Sequence, residues 1–156
     1  GGFNTSLSWK GFDLSAIFAY SIGGYIYNRD ITMILHNGSL EGRDWSTEIL
    51  KRWTPDNRNT DVPALSTTTN NWNSASTRFL QNNSYMRLKN LTLSYNLPKQ
   101  WISKLSLSSV QVYVQGDNLF TIHQNQGLDP EQGITGITYY RYPAMRTISG
   151  GINVSF

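Results

Sequence analysis

The chain has 156 residues and a formal net charge of +3, with only 15% charged residues and 13% aromatic ones, whereas a water-soluble globular domain usually carries roughly 25% charge. No Lys/Arg run is longer than Lys51-Arg52, which argues against the clustered basic footprint of a nucleic-acid binder. The absence of cysteine excludes disulfides, thiolate metal sites and a cysteine nucleophile. No apolar run reaches the ~20 residues of a transmembrane helix, but ~9–11 suffice for a transmembrane strand.

Phe3, Thr5, Leu7 and Trp9 alternate with Asn4, Ser6, Ser8 and Lys10, the period-two pattern of a strand with unlike faces. Gly11 marks a tight turn. Phe12, Leu14, Ala16, Phe18, Tyr20 and Ile22 then form the apolar face of a second strand, opposite Asp13, Ser15 and Ser21. Past Gly23-Gly24, Tyr25 and Tyr27 extend that face as an aromatic rim. Residues 28–84 are rich in turn chemistry and read as a long loop. Inside it, Asp44 is expected to cap a short helix running to about Trp53, which Pro55 ends.

Tyr85 to Leu97 is the third strand, with Leu91, Leu93, Tyr95 and Leu97 opposite Asn90, Thr92, Ser94 and Asn96. Arg87 and Lys89 share the parity of Leu91. That places the start of the strand at headgroup level, because a charge on a lipid face costs ~2–4 kcal/mol at the midplane and little near the interface. Pro98 to Ser108 is a short connection. Val110, Val112 and Val114 form the apolar face of the fourth strand; Gln111, Gln115, Asp117 and Tyr113 take the other parity. Phe120 to Met145 is a second long loop. In the last strand Ile148, Gly150, Ile152, Val154 and Phe156 oppose Thr147, Ser149, Gly151, Asn153 and Ser155.

The pattern is that of an all-β, antiparallel transmembrane β-barrel segment, a slice of about five strands whose apolar side meets lipid and whose polar side meets a watery lumen. Short turns at Lys10-Gly11 and Pro98–Ser108 alternate with long loops at 23–84 and 120–146, matching short periplasmic turns and long extracellular loops. Single-chain bacterial barrels start at about eight strands, so the chain is expected to be part of a larger barrel or one of several copies that close together. Its start in what reads as mid-strand favours the former.

Catalysis has no support. Asp129 and Glu131 sit around an Asp-Pro turn former, His36 and His123 are far apart, and no nucleophile elbow or phosphate loop is present. No cofactor or metal is expected. Trp45, Trp53 and Trp72 in the first loop and Tyr139, Tyr140 and Tyr142 in the second are candidate contacts to a partner or a substrate, with loop packing the plainer role. The alternative from another class is a soluble β-sandwich carbohydrate-binding module.

Four segments in one order resemble the SusC/RagA family of TonB-dependent transporters: residues 79–98 (FLQNNSYMRLKNLTLSYNLP), 112–120 (VYVQGDNLF), 127–131 (GLDPE) and 142–156 (YPAMRTISGGINVSF). Family members often have Gly at the places of Asn83 and Ser94 and Pro at that of Met145. The resemblance implies that residues 1–156 are the C-terminal portion of a roughly 22-stranded, plugged barrel, the plug lying outside this chain. It implies an importer of oligosaccharides or peptides in the outer membrane of a Gram-negative bacterium. Its partners would be a SusD-like lipoprotein lid and the TonB complex. Gly151, Val154 and Phe156 fit the terminal signal read by the barrel assembly machinery.

Overall fold

In the computed structural model, residues 1–36, 40–66, 74–125, 129–131 and 135–156 are described. The strands are β1 (Gly2–Trp9), β2 (Phe12–Ser21), β3 (Tyr25–Asn28), β4 (Leu80–Asn82), β5 (Tyr85–Asn96), β6 (Ser109–His123), β7 (Ile137–Thr138) and β8 (Thr147–Ser155). Short helices α1 (Arg29–Ile34) and α2 (Lys99–Ile102) lie between them. The chain divides into two compact units: Gly1–Gly24, Asn83–Pro130 and Pro143–Phe156 form the first, Tyr25–Asn82 and Glu131–Tyr142 the second.

The first unit is built on one five-stranded sheet in the order β1-β2-β5-β6-β8, antiparallel throughout. The five long strands read from the alternation all pair here. Directly opposed residues share a face, and the register collects like with like. One row runs Trp9, Phe12, Tyr95, Val112, Ile152; the next on that face runs Leu7, Leu14, Leu93, Val114, Gly150. Toward the other end Phe3, Phe18, Leu88 and Phe120 align, with the Phe3 and Phe18 rings stacked at 4.7 Å. The opposite face carries Ser6, Ser15, Thr92, Gln115 and Ser149 in one row. Its two carboxylates are held by neutral neighbours: Asp13 accepts from Ser8 Oγ and from Asn96 Nδ2 (2.7 Å), and Asp117 accepts from Asn90 Nδ2 (2.8 Å) and Gln115. The apolar face is open to the surroundings, with Leu7 66% and Ile148 71% exposed.

The β1–β2 hairpin turns on Lys10 (φ +47°) and Gly11 (φ +89°) alone. Two consecutive positive φ angles define the tight hairpin turn whose twist matches the flanking strands, hence the glycine. The connection from β5 to β6 contains α2 and a 3₁₀ turn, Ser103–Leu105. Ile102 is buried and Trp101 exposed.

The structure corrects the placement of Arg87. The β5 register slips at Lys89: Asn90 faces Ile17 and Asp117, whereas Leu88 faces Phe18 and Phe120. This β-bulge inserts one residue and inverts parity beyond it. Leu88 and Met86 therefore continue the apolar face, and Arg87, opposite Ala19 and Thr121, turns to the polar face, where it is buried. On the partner strand Asn118 takes φ +51°, and Leu119 folds over Gly116, which has no side chain to obstruct it. The fourth strand also runs further than its valines suggest, to His123, so the second long connection starts later than Phe120.

The second unit corrects the reading of separate loops. Tyr25 and Tyr27 do not extend β2; they open β3, which pairs antiparallel with β4 and parallel with β7. Because β7 comes from the later connection, the two long loops share one small sheet. Ile26, Phe79 and Thr138 are buried in this unit, and Tyr27 meets Phe79 edge-on at 6.1 Å. The expected helix from Asp44 to about Trp53 is instead a 3₁₀ segment, Thr47–Lys51, capped by Ser46, whose hydroxyl accepts from the Glu48 N–H at 3.2 Å. The serine immediately before the turn reaches the free N–H groups that Asp44 would have had to reach from two residues further back. An early helix, α1, that the sequence reading left within the loop is capped by Asn28 Oδ1, which accepts from Ile31 N–H at 3.1 Å.

Gly151 lies directly opposite Tyr113, and a Cβ at position 151 would stand 2.7 Å from the tyrosine oxygen. Gly151→Val is expected to destabilise by ~1–3 kcal/mol through overpacking, and adding Tyr113→Ser should recover most of it. Thermal unfolding of the intact protein in detergent checks this; equal losses in the single and double variants would refute it.

Candidate functional site

A polar cluster gathers at the end of the first sheet that carries Tyr85 and His123. The Arg87 guanidinium pairs with Asp129 Oδ1, and both side chains are about 5% exposed. Arg87 Nε also donates to Thr121 Oγ1 at 2.9 Å, and Asp129 Oδ2 accepts from the Ala144 N–H at 2.7 Å. Asn83 Nδ2 donates to the Pro130 carbonyl at 3.0 Å, while Asn125 Nδ2 donates to Asn83 Oδ1 at 3.2 Å. Asn118 Nδ2 reaches the Met145 carbonyl at 3.2 Å. A buried carboxylate is tolerated only when its lone pairs are occupied and its charge is matched, and here both conditions hold. The cluster fastens the chain on either side of the second connection to β5 and β6. It has no machinery for bond breaking, and the described residues contain no group of three or more His, Cys, Asp or Glu placed to hold a metal.

The sequence reading missed this site. By sequence alone Asp129 reads as a turn former and Arg87 as a headgroup-level charge. The available signal was the co-occurrence of the four segments: Arg87, Asn118, Asp129 and Ala144 come one from each.

The candidate contact residues separate. Tyr139 and Tyr140 stand together in the second unit, ring centroids 4.3 Å apart, with the Arg29 guanidinium 4.7 Å from the Tyr139 ring. Asp30 accepts the Tyr140 N–H at 3.0 Å and holds it at φ +48°. Trp45 meets His36 edge-on at 5.2 Å. Trp53 is held elsewhere, its backbone N–H donating to the Val62 carbonyl at 2.8 Å. Tyr142 is 96% exposed. Trp72 lies outside the described residues. On the first unit, Gly151 packs under Tyr113, Val154 opposes Val110, and Phe156 projects past the end of β8.

No protein-family model matches the chain. TonB-dependent receptor P3 of Formosa agariphila is 35% identical over 99% of this chain and 16% of its own length. TonB-dependent receptor SusC of Bacteroides thetaiotaomicron is 27% identical over 99% of this chain and 15% of its own. Among solved structures, the RagAB peptide importer in its open-open state superposes with a TM-score of 0.88 at 36% identity, covering 100% of this chain and 17% of that one. The chain is of the SusC/RagA type. It corresponds to a C-terminal stretch of such a TonB-dependent transporter. It spans about a sixth of the length of the curated relatives it matches. Among the described residues no helix is long and apolar enough to cross a membrane, which has no bearing on strands.

The segments that carry the SusC/RagA resemblance thus meet in space as one hydrogen-bonded cluster. Arg87→Met strands the Asp129 carboxylate, a loss of ~3–5 kcal/mol in a buried pair. Trypsin should then cut the intact transporter at Arg141 and Arg146 on the order of a hundredfold faster, with a smaller effect for Asp129→Asn. Unchanged cleavage in both variants would show that the pair does not fasten the segment.

Proposed function

We propose that this chain supplies wall strands and external loops of an outer-membrane importer of oligosaccharides or peptides. The observation that carries this reading is the uncharged apolar face shared by five strands, with a hydroxyl- and amide-lined face behind it. Monomeric soluble proteins rarely leave a contiguous apolar patch larger than a few hundred Å² in water. From Phe12 to Ile22 is ten residue-to-residue steps; at ~3.3 Å each and a tilt of ~40° they span ~25 Å of membrane thickness, the height of a barrel's apolar band. A β-sandwich would need a second sheet ~10 Å above this face, yet Leu7, Ile148 and Ile152 stay exposed.

In lipid, the free edges of β1 and β8 must be paired, so the sheet forms part of a closed barrel of roughly 22 strands, as in plugged outer-membrane transporters. The Lys10-Gly11 turn and the 98–108 connection face the periplasm, and the two long loops are extracellular. Import draws its energy through the TonB complex. A SusD-like lipoprotein covers the outer mouth, where Trp45, Trp53, Trp72, Tyr139, Tyr140 and Tyr142 serve partner or substrate contact. Similarity to a solved peptide importer supports the peptide class. Gly151, Val154 and Phe156 form the terminal signal for the barrel assembly machinery.

Two measurements test the proposal. Phe18→Arg, on the lipid side, should cost ~2–4 kcal/mol and abolish outer-membrane insertion, while Ser15→Arg on the lumen side should insert normally; equal insertion would remove the assignment of faces. Deletion of Phe156 should lower the amount of assembled protein, and undiminished assembly would reject the terminal signal.

A further inference from the structure

We propose that the short-turn end of the first sheet binds the headgroups of anionic phospholipid in the inner leaflet of the outer membrane. The inference rests on the lipid-facing assignment made above and adds a leaflet and a headgroup charge to it.

Three lysines collect at this end: Lys10 in the β1–β2 turn, and Lys99 and Lys104 in the connection between β5 and β6. The two turns are neighbours, because the Asn96 N–H donates to the Gly11 carbonyl at 2.8 Å just before the connection begins. All three lysines are exposed, and among the described residues no hydrogen-bond or ion-pair partner reaches their ammonium groups. No Asp or Glu occurs between Asp13 and Asp30 or between residues 97 and 116. Asp13, at the start of β2, sits on the polar face and is engaged by Ser8 and Asn96. The Phe156 carboxylate, at this end beside the 98–108 connection where the Ser108 N–H donates to the Ser155 carbonyl at 2.8 Å, offsets one of the three charges, and the remainder is positive on the side where the apolar face ends.

The aromatic groups define the depth. Trp9, Phe12 and Tyr95 form one row across three strands on the apolar face, the Phe12 and Tyr95 rings 4.4 Å apart. Trp9 is 63% exposed and Trp101, between Lys99 and Lys104 in the chain, is 64% exposed. Lys10 Nζ lies 5.0 Å from the centre of the Trp9 ring, which puts its charge on the apolar side of the turn. Indole rings settle at the headgroup layer, and an ammonium beside them meets lipid phosphate. An acidic protein would satisfy the lysines but would leave the adjoining row of rings uncovered; a phospholipid satisfies both with one molecule.

The test uses the full-length transporter that contains this chain, reconstituted with spin-labelled phosphatidylglycerol or phosphatidylcholine. The readout is the ratio of their association constants in the motionally restricted lipid shell. The wild type should favour phosphatidylglycerol, and Lys10→Gln/Lys99→Gln/Lys104→Gln should reduce that ratio by roughly threefold or more, with Lys→Arg at the three sites retaining it. A ratio unchanged by the glutamine variant, or equal to one in the wild type, would overturn the inference. The restricted shell separates this failure from that of the reading beneath it. A shell present without selectivity rejects only the headgroup site, whereas no shell with either lipid rejects the lipid-facing wall as well.

Discussion

Register is the constraint on which the rest of the molecule depends. Side chains on a strand alternate at period two, so a one-residue slip moves a whole strand's apolar set to the opposite face. In this sheet β1, β2, β5, β6 and β8 must agree at once for the row from Trp9 to Ile152 to stay apolar and the row from Ser6 to Ser149 to stay polar. In the proposed position between lipid and a watery lumen, such agreement is enforced from both sides. Serine and glutamine in lipid would lack hydrogen-bond partners, and leucine and phenylalanine in a lumen would stay in water. The Lys10-Gly11 hairpin fixes the first pairing, and the fit of Gly151 to Tyr113 fixes the last.

Charge is handled by one local departure from that order. The bulge at Lys89 lets the apolar face continue through Leu88 and Met86 while Arg87 turns inward. There it meets a carboxylate from the second long connection, and the pair, with Thr121 and the Ala144 N–H, ties that connection to the wall. A single inserted residue thus moves a charge off the apolar face and pairs it with a buried carboxylate.

The strands were legible because alternation is a local signal, repeated along each segment with few exceptions such as Ile17 and Ala19. The bulge was not, because Arg87, Lys89 and Leu91 continue an unbroken odd-numbered parity; only the partner strands reveal the slip. Nor could alternation disclose β3, β4 and β7, which are four, three and two residues long. Their pairing joins residues more than fifty positions apart, a long-range fact with no local trace. The helix expected after Asp44 failed on capping: Ser46 stood nearer to the free N–H groups. At the polar cluster the four resembling segments were visible one by one, but their meeting was not, since Asp129 and Arg87 lie 42 positions apart. Among the aromatic residues, sequence gave location in loops and nothing of company, which is why Trp53 separates from the Tyr139–Tyr140 pair.

The central claim is that the even-numbered side of β2 and its matched positions face lipid while the other side faces an aqueous lumen, with the phase of β5 inverting at Lys89. The most direct test is nitroxide scanning along β5, from residue 85 to 96, in the full-length protein in bilayers, measuring collision with oxygen, which partitions into lipid, against a water-soluble nickel complex. The account predicts oxygen-accessible labels at 86, 88, 91, 93 and 95, nickel-accessible labels at 90, 92, 94 and 96, and a break in the alternation between 88 and 90. Uninterrupted alternation through Lys89, or equal access of both reagents to all positions, would contradict it.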